Sequence, residues 1–148
     1  MQDIADLYQA VILDHNRRPR NFEEMENPDR LAVGDNPVCG DHYTVFLKMA
    51  GDRIEKVSFS GAGCAISKAS ASVMTSMLKG KTLEEAKALY NDFHTMVTTG
   101  EVAEDNLSDL SAFAGVYQFP ARIKCATLSW HAALNAAADP DTKSVTTE

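Results

Sequence analysis

"YTVFLKMAGDRIEKVSFS", residues 43–60, decides the fold class. Tyr43, Val45, Leu47 and Met49 alternate with Thr44, Phe46 and Lys48, which is the period of a half-buried strand. Gly51 and Asp52 then suit a two-residue hairpin turn with glycine at its first central position. Residues 53–60 return as a second strand with Val57 and Phe59 on one face. "GAGC", residues 61–64, follows at once, and Cys64 opens a helix. Its apolar stripe is Ile66, Ala69, Val73, Met74, Met77 and Leu78, and Gly80 stops it.

Outward from that core the elements are helical. Ile4, Leu7, Tyr8, Val11 and Ile12 share one face of an opening helix that Pro19 ends. Residues 21–35, with Pro28 and Gly34, read as an ordered loop. Thr82 and Glu85 form a capping box for a helix that buries Ala86, Leu89, Phe93, Met96 and Val97. "TTGEVAEDNLSD", residues 98–109, reads as a polar loop, and "LSDLSAFAGV", residues 107–116, as one short helix. An alanine-rich final helix starts at Pro120 and stops before Pro140, and residues 140–148 read as a frayed tail. A hairpin followed by helices, without alternating βα units, predicts an α+β fold: one domain over residues 1–148, with a small antiparallel sheet covered by helices.

The chain has 148 residues, enough to bury a core without staples. Asp and Glu outnumber Lys and Arg by 21 to 14, a net charge of −7, and no basic patch offers a footprint for nucleic acid. No apolar run reaches bilayer length and no secretory signal is present, so the expectation is a soluble cytoplasmic protein with no membrane partner, monomeric by default. Three cysteines at wide spacing do not make a disulfide scaffold.

Each cysteine taken singly reads equally well as a small core hydrophobe. Their surroundings argue for more. Cys39 sits between Pro37 and Gly40 in a turn, Cys64 at a helix start behind two glycines, and Cys125 near a helix start behind Arg122 and Lys124. Helix starts and neighbouring cations favour the thiolate, the form that binds metal or attacks sulfur. A tetrahedral zinc site needs a fourth ligand. Asp41 points with Cys39 in an extended stretch, whereas His42 points away and stays in reserve. His15 reads as a cation at a helix end, His94 as solvated, and His131, six residues after Cys125, as no partner for it.

"NPVCGD" (36–41), "GAGCAISKAS" (61–70) and "ARIKCATLSW" (121–130) resemble the three cysteine motifs of the U-type iron–sulfur cluster assembly proteins, and the likeness runs from "LYQAVILDH" to the final helix. Within that family, Lys124 stands where the scaffold branch (IscU) has a histidine, and "FPARIK" stands where that branch has a Pro-Pro-Val-Lys segment. The chain is also extended around residues 98–115. All three departures resemble the SufU branch of zinc-dependent sulfurtransferases. The resemblance implies one zinc ion on Cys39, Asp41, Cys64 and Cys125. It also implies Arg122 as the residue engaging a pyridoxal-phosphate cysteine desulfurase, with Cys39 accepting sulfur once a desulfurase histidine replaces it on zinc. Downstream cluster assembly machinery would take the sulfur.

The alternative within the family is a scaffold for a [2Fe–2S] cluster or iron on the same ligands. A structural zinc module would more often carry C-x₂-C pairs, which this chain lacks, and a cysteine hydrolase would need a placed histidine base.

Overall fold

The computed structural model describes the backbone of residues 4–101, 105–139 and 144–146, and the side chains of residues 10–101 and 109–139. The chain runs α1 (Ile4–Arg17), β1 (Arg30–Asn36), β2 (Asp41–Ala50), β3 (Arg53–Ala62), α2 (Ala65–Leu78) and α3 (Leu83–Thr99). A 3₁₀ segment (Asp105–Gln118), α4 (Pro120–Ala138) and β4 (Ser144–Thr146) complete it. The sheet order is β3-β2-β1-β4, with the first three strands antiparallel and β4 parallel to β1. The expected α+β class, an antiparallel sheet covered by helices, is the observed one.

The β2–β3 hairpin forms as its residues dictate. Ala50 pairs with Arg53 across the turn, and of the two turn residues only Gly51 has positive φ, at 64°, as a glycine-first turn requires. Tyr43, Val45, Leu47, Val57 and Phe59 are buried on the inner face, with Val45 opposite Phe59 and Leu47 opposite Val57. Phe46, on the other face, is buried too, so the alternation is less clean than the sequence suggests.

Two segments read as irregular are strands. Arg30–Asn36 is β1, antiparallel to β2 over its whole length, and the expected loop is confined to the residues before it. Gly34, which argued for a loop, sits mid-strand because α4 crosses there: a Cβ on Gly34 would lie 3.2 Å from the Leu128 side chain. The tail expected to fray supplies β4, which pairs with Val33, Gly34 and Asp35 and occupies the otherwise open edge of β1.

The capping box is present: Glu85 N–H donates to Thr82 Oγ1, and Thr82 N–H to Glu85 Oε1. The five residues expected to be buried on α3 are buried. On α2 burial goes further than the apolar stripe. Ser67, Ser70, Ser72 and Thr75 are buried as well, because the helix runs through the middle of the domain between α1, α4 and the sheet. Distant partners satisfy them: Ser70 Oγ donates to the Ala126 carbonyl at 2.6 Å and accepts from Trp130 Nε1 at 3.2 Å.

The 3₁₀ segment includes the expected short helix. Its buried Leu110, Phe113 and Val116 join the core, and Phe113 meets Phe93 edge-on at 5.9 Å. Within residues 98–109, Thr98 and Thr99 belong to α3, which Gly100 ends at φ 83°. The side chains of 102–108 lie outside the described residues, as do those of Ile4, Leu7 and Tyr8.

Candidate metal centre

The pleat of β1 and β2 builds one wall of the site. Asn36 and Asp41 face each other in register at the end of the sheet, on the inner face that continues Ala32, Tyr43 and Val45, and both are fully buried. Asp35 and His42, one step along each strand, point to the other face, where His42 Nδ1 and Asp35 Oδ1 lie 3.3 Å apart. Strand alternation thus puts Asp41 on the inner face and His42 on the outer one, although Cys39 itself lies in a turn and not in the extended stretch from which Asp41 was chosen. Cys39 lies in the loop joining the two strands, and Gly40 takes a φ of 75° that permits the tight turn. Cys125 enters from the second turn of α4 and is 1% exposed.

Cys39, Asp41 and Cys125 meet there, each offering a ligand atom within 4.8 Å of the others. Cys64 stands beside this group rather than within it. Its sulfur caps α2 by accepting the Ser67 N–H at 3.5 Å, and its own N–H donates to Asp41 Oδ1 at 2.9 Å. Behind them Tyr43 Oη and Ser67 Oγ are 3.1 Å apart, and Ser67 Oγ donates to the Cys64 carbonyl at 3.0 Å. Gly63 leaves room for this cluster: a Cβ there would fall 2.5 Å from Asp41 Oδ1, 2.7 Å from Ser67 Oγ and 2.9 Å from Tyr43 Oη.

The thiols are electrostatically unequal. A hydrogen bond from Cys125, helped by the Ser67 N–H and opposed by burial, pulls the Cys64 thiol down to about 5. The same bond, with burial and the neighbouring Asp41, pushes the Cys125 thiol up. Their shared hydrogen bond thus favours charge on Cys64 and the proton on Cys125. Arg122, exposed at the start of α4, has its guanidinium held in the charged form by Cys64 first and then Cys125. Burial pushes the Tyr43 phenol up to about 12, so it remains a neutral donor.

His15 lies in the last turn of α1, as expected, but is buried there. It is 4% exposed, with Nδ1 2.8 Å from Ser72 Oγ and Nε2 3.1 Å from Asp109 Oδ2. The serine–histidine–aspartate order is not a hydrolase triad, since Ser72 is fully buried and its Oγ also accepts the Arg20 N–H. His94 is exposed, as expected, and His131 pairs with Tyr90 Oη at 3.1 Å rather than with a cysteine. Asn36, Ser67 and Tyr43 carried no sequence signal for the site. Their roles arise only from register and helix packing.

The residues present fit a metal ion. Asp41 Oδ2 is buried with no hydrogen-bond partner, and the Asp41 carboxylate lies near the sulfurs of Cys39 and Cys125. Two cysteine sulfurs and a carboxylate, with Cys64 adjacent, are a donor set for zinc.

A profile of the NifU-like N-terminal domain matches residues 7–126. The chain belongs to the NifU-like N-terminal domain family. It is 45% identical over 131 residues to the zinc-dependent sulfurtransferase SufU of Bacillus subtilis (strain 168), covering 88% of each chain. It is 42% identical over 133 residues to the iron-sulfur cluster assembly scaffold protein IscU of Streptococcus pyogenes serotype M1, covering 89% of this chain and 83% of that one. Its structure resembles that of a SufU-type putative scaffold protein from Fervidobacterium islandicum AW-1, with a TM-score of 0.82 at 33% identity over 89% of this chain and 97% of that one. The resemblance of the three cysteine motifs to U-type assembly proteins is thus a family membership. Among the described residues of this NifU-like domain, no helix is long and apolar enough to cross a membrane.

Proposed function

We propose that this protein serves cytoplasmic iron–sulfur cluster assembly by accepting persulfide sulfur from a pyridoxal-phosphate cysteine desulfurase at a zinc-bound cysteine site. The observation carrying the reading is the meeting of Cys39, Asp41 and Cys125, with Asp41 Oδ2 buried and unpartnered. Cys39, Asp41, Cys64 and Cys125 would hold the zinc. Zinc, when bound, keeps sulfur ligands deprotonated at neutral pH and shields them from oxidation.

The chain's own residues support Cys39 as the acceptor. Cys125 is buried within α4, and the Cys64 sulfur caps α2, so moving either disturbs a helix. Cys39 is half-buried in a strand-joining turn beside Gly40, so moving it disturbs no helix or strand. Its thiolate attacks the outer sulfur of the donor persulfide. The donor's S–S bond breaks, its cysteine leaves as a thiolate, and Cys39 carries the persulfide with no net oxidation. Arg122, exposed beside Cys64, supports the reading as a contact for an anionic, persulfide-bearing partner.

The test is sulfide release by a partner desulfurase with zinc-loaded and with chelated protein. Acceleration by the zinc form alone supports the sulfurtransferase. The relative from Streptococcus pyogenes, named a scaffold, favours a second reading on the same ligands. If zinc makes no difference and the metal-free protein assembles a cluster from iron and sulfide, the scaffold replaces the sulfurtransferase.

A further inference from the structure

Asn36 lies where three ligand-bearing segments meet. Its backbone carbonyl accepts the Gly40 N–H at 2.9 Å and so closes the turn that carries Cys39. Across the sheet it is paired with Asp41. Its side chain is fully buried and reaches α4, where Nδ2 donates to Cys125 Sγ at 4.0 Å. The transfer step described above gives this residue no part.

Stability does not explain an amide at this position. Asn36 Oδ1 has no partner, and a buried unsatisfied carbonyl is a cost that leucine, of similar size, would not carry. The contact with Cys125 explains it. To bind metal, that sulfur must become a thiolate, and a buried thiolate is favoured by N–H donors aimed at it. Turned over, the amide would aim its carbonyl oxygen at the sulfur and oppose the charge, so the orientation with Nδ2 toward Cys125 is the one that suits a ligand.

The three sulfurs divide on this point. Cys64 Sγ accepts the Ser67 N–H at 3.5 Å, and Cys125 Sγ accepts from Asn36. Cys39 Sγ lies 4.0 Å from the Ala121 carbonyl and receives no N–H bond from the described residues. Cys125 Sγ is 3.5 Å from the same carbonyl, to which it donates only as a thiol. When metal binding removes that proton, the Asn36 N–H is a bond the sulfur keeps.

We propose that Asn36 is a positioning residue of the metal centre, its Nδ2–H holding the Cys125 sulfur in place as a thiolate ligand on α4. The proposal rests on the metal-site reading given above. Because the bond to Gly40 belongs to the backbone, a side-chain substitution leaves the Cys39 turn closed and tests the N–H···S bond by itself.

The test compares full-length wild type, Asn36→Leu and Asn36→Gln, loaded with zinc and with cobalt(II), a spectroscopic substitute whose near-ultraviolet absorption reports electron transfer from sulfur to metal. Leucine removes the donor and the orphaned carbonyl together, whereas glutamine keeps an amide. In Asn36→Leu, zinc affinity in chelator competition should fall about tenfold, while Tm of the metal-free protein changes by less than about 2 °C. Its cobalt band should move to longer wavelength, since a thiolate gives up an electron more readily without its hydrogen bond. Asn36→Gln should keep the band at the wild-type position. An unchanged band in Asn36→Leu overturns the proposal even where affinity falls, because a merely structural role would leave the electrons of the sulfur as they were. A band displaced as far in Asn36→Gln overturns it as well. The band is read on metal-loaded protein, so it decides the matter even where a variant lowers Tm. Wild type that binds neither metal would bring down the metal-site reading and this proposal with it. Wild type that binds both, with no effect of Asn36→Leu, brings down the proposal alone.

Discussion

Gly63→Ala tests the architecture behind the metal ligands. Gly63 does not have positive φ, so alanine meets no backbone penalty there and the effect is purely steric. The added methyl would lie within 2.9 Å of Asp41 Oδ1, Ser67 Oγ and Tyr43 Oη, all of them in the packed interior around the site. Overpacking of this kind costs about 1–3 kcal/mol. The hydrogen bond from Cys64 N–H to the Asp41 carboxylate, which the methyl displaces, adds about 1.5–3 kcal/mol as a bond to a charged group. A net loss of about 3 kcal/mol should lower Tm of the metal-free protein by roughly 6–12 °C at this chain length. Because Asp41 turns away from the sulfurs, zinc affinity should fall about 10–100-fold in chelator competition. Gly40→Ala is the control, since its φ of 75° strains alanine while nothing lies within 4 Å of the new methyl. It should cost only ~1–2 kcal/mol. Wild-type Tm and wild-type zinc affinity in Gly63→Ala would refute the reasoning.

Cys39→Ala should abolish sulfur acceptance from a desulfurase while shifting the stability of the metal-free protein by less than about 1 kcal/mol, since Cys39 is only half-buried and lies outside helix and strand; full persulfide transfer to it would remove Cys39 from the role. His15→Ala should cost about 2–4 kcal/mol in thermal denaturation by removing the partner of Ser72 and Asp109, with sulfur acceptance retained below the new Tm; an unchanged Tm would contradict its place in the core. In metal-free protein, alkylation of Cys64 should stay near its maximal rate at pH 6.5 and fall only as pH nears about 5; a rate rising steadily to the ordinary thiol range would show no stabilised thiolate. The sign for stability follows from the same shift. The folded value lies below the unfolded one, so the contribution of the Cys64 thiolate to the metal-free fold is lost as pH falls toward about 5, while Cys125, pushed up by the same bond, withdraws stability as pH rises past the ordinary thiol range.

The elements legible in the sequence are those whose causes are local. The Gly51–Asp52 turn, the Thr82–Glu85 capping box and the buried stripe of α3 each depend on residues within a few positions of one another. At the site the structure brings Asp41 near Cys39 and Cys125 and leaves His42 on the other face, but Cys39 and Gly40 lie in a turn and not in the extended stretch from which the i, i+2 choice was argued. What stayed hidden depends on partners far along the chain. Arg30–Asn36 becomes a strand because β2 pairs with one side of it and α4 packs over Gly34, neither of which its own composition announces. Residues 144–146 become a strand only because β1 offers an edge. His15 is buried because Ser72 and Asp109, 57 and 94 residues away, satisfy both ring nitrogens. Asn36, Ser67 and Tyr43 surround the cysteines by register and helix packing alone. The sequence by itself determined the class of fold and the family motifs that carry the three cysteines. Which sulfur is buried, which favours charge and which can move without disturbing a helix or strand was decided by tertiary structure, because burial and hydrogen bonding to a thiol are properties of the assembled neighbourhood and not of the motif that carries it.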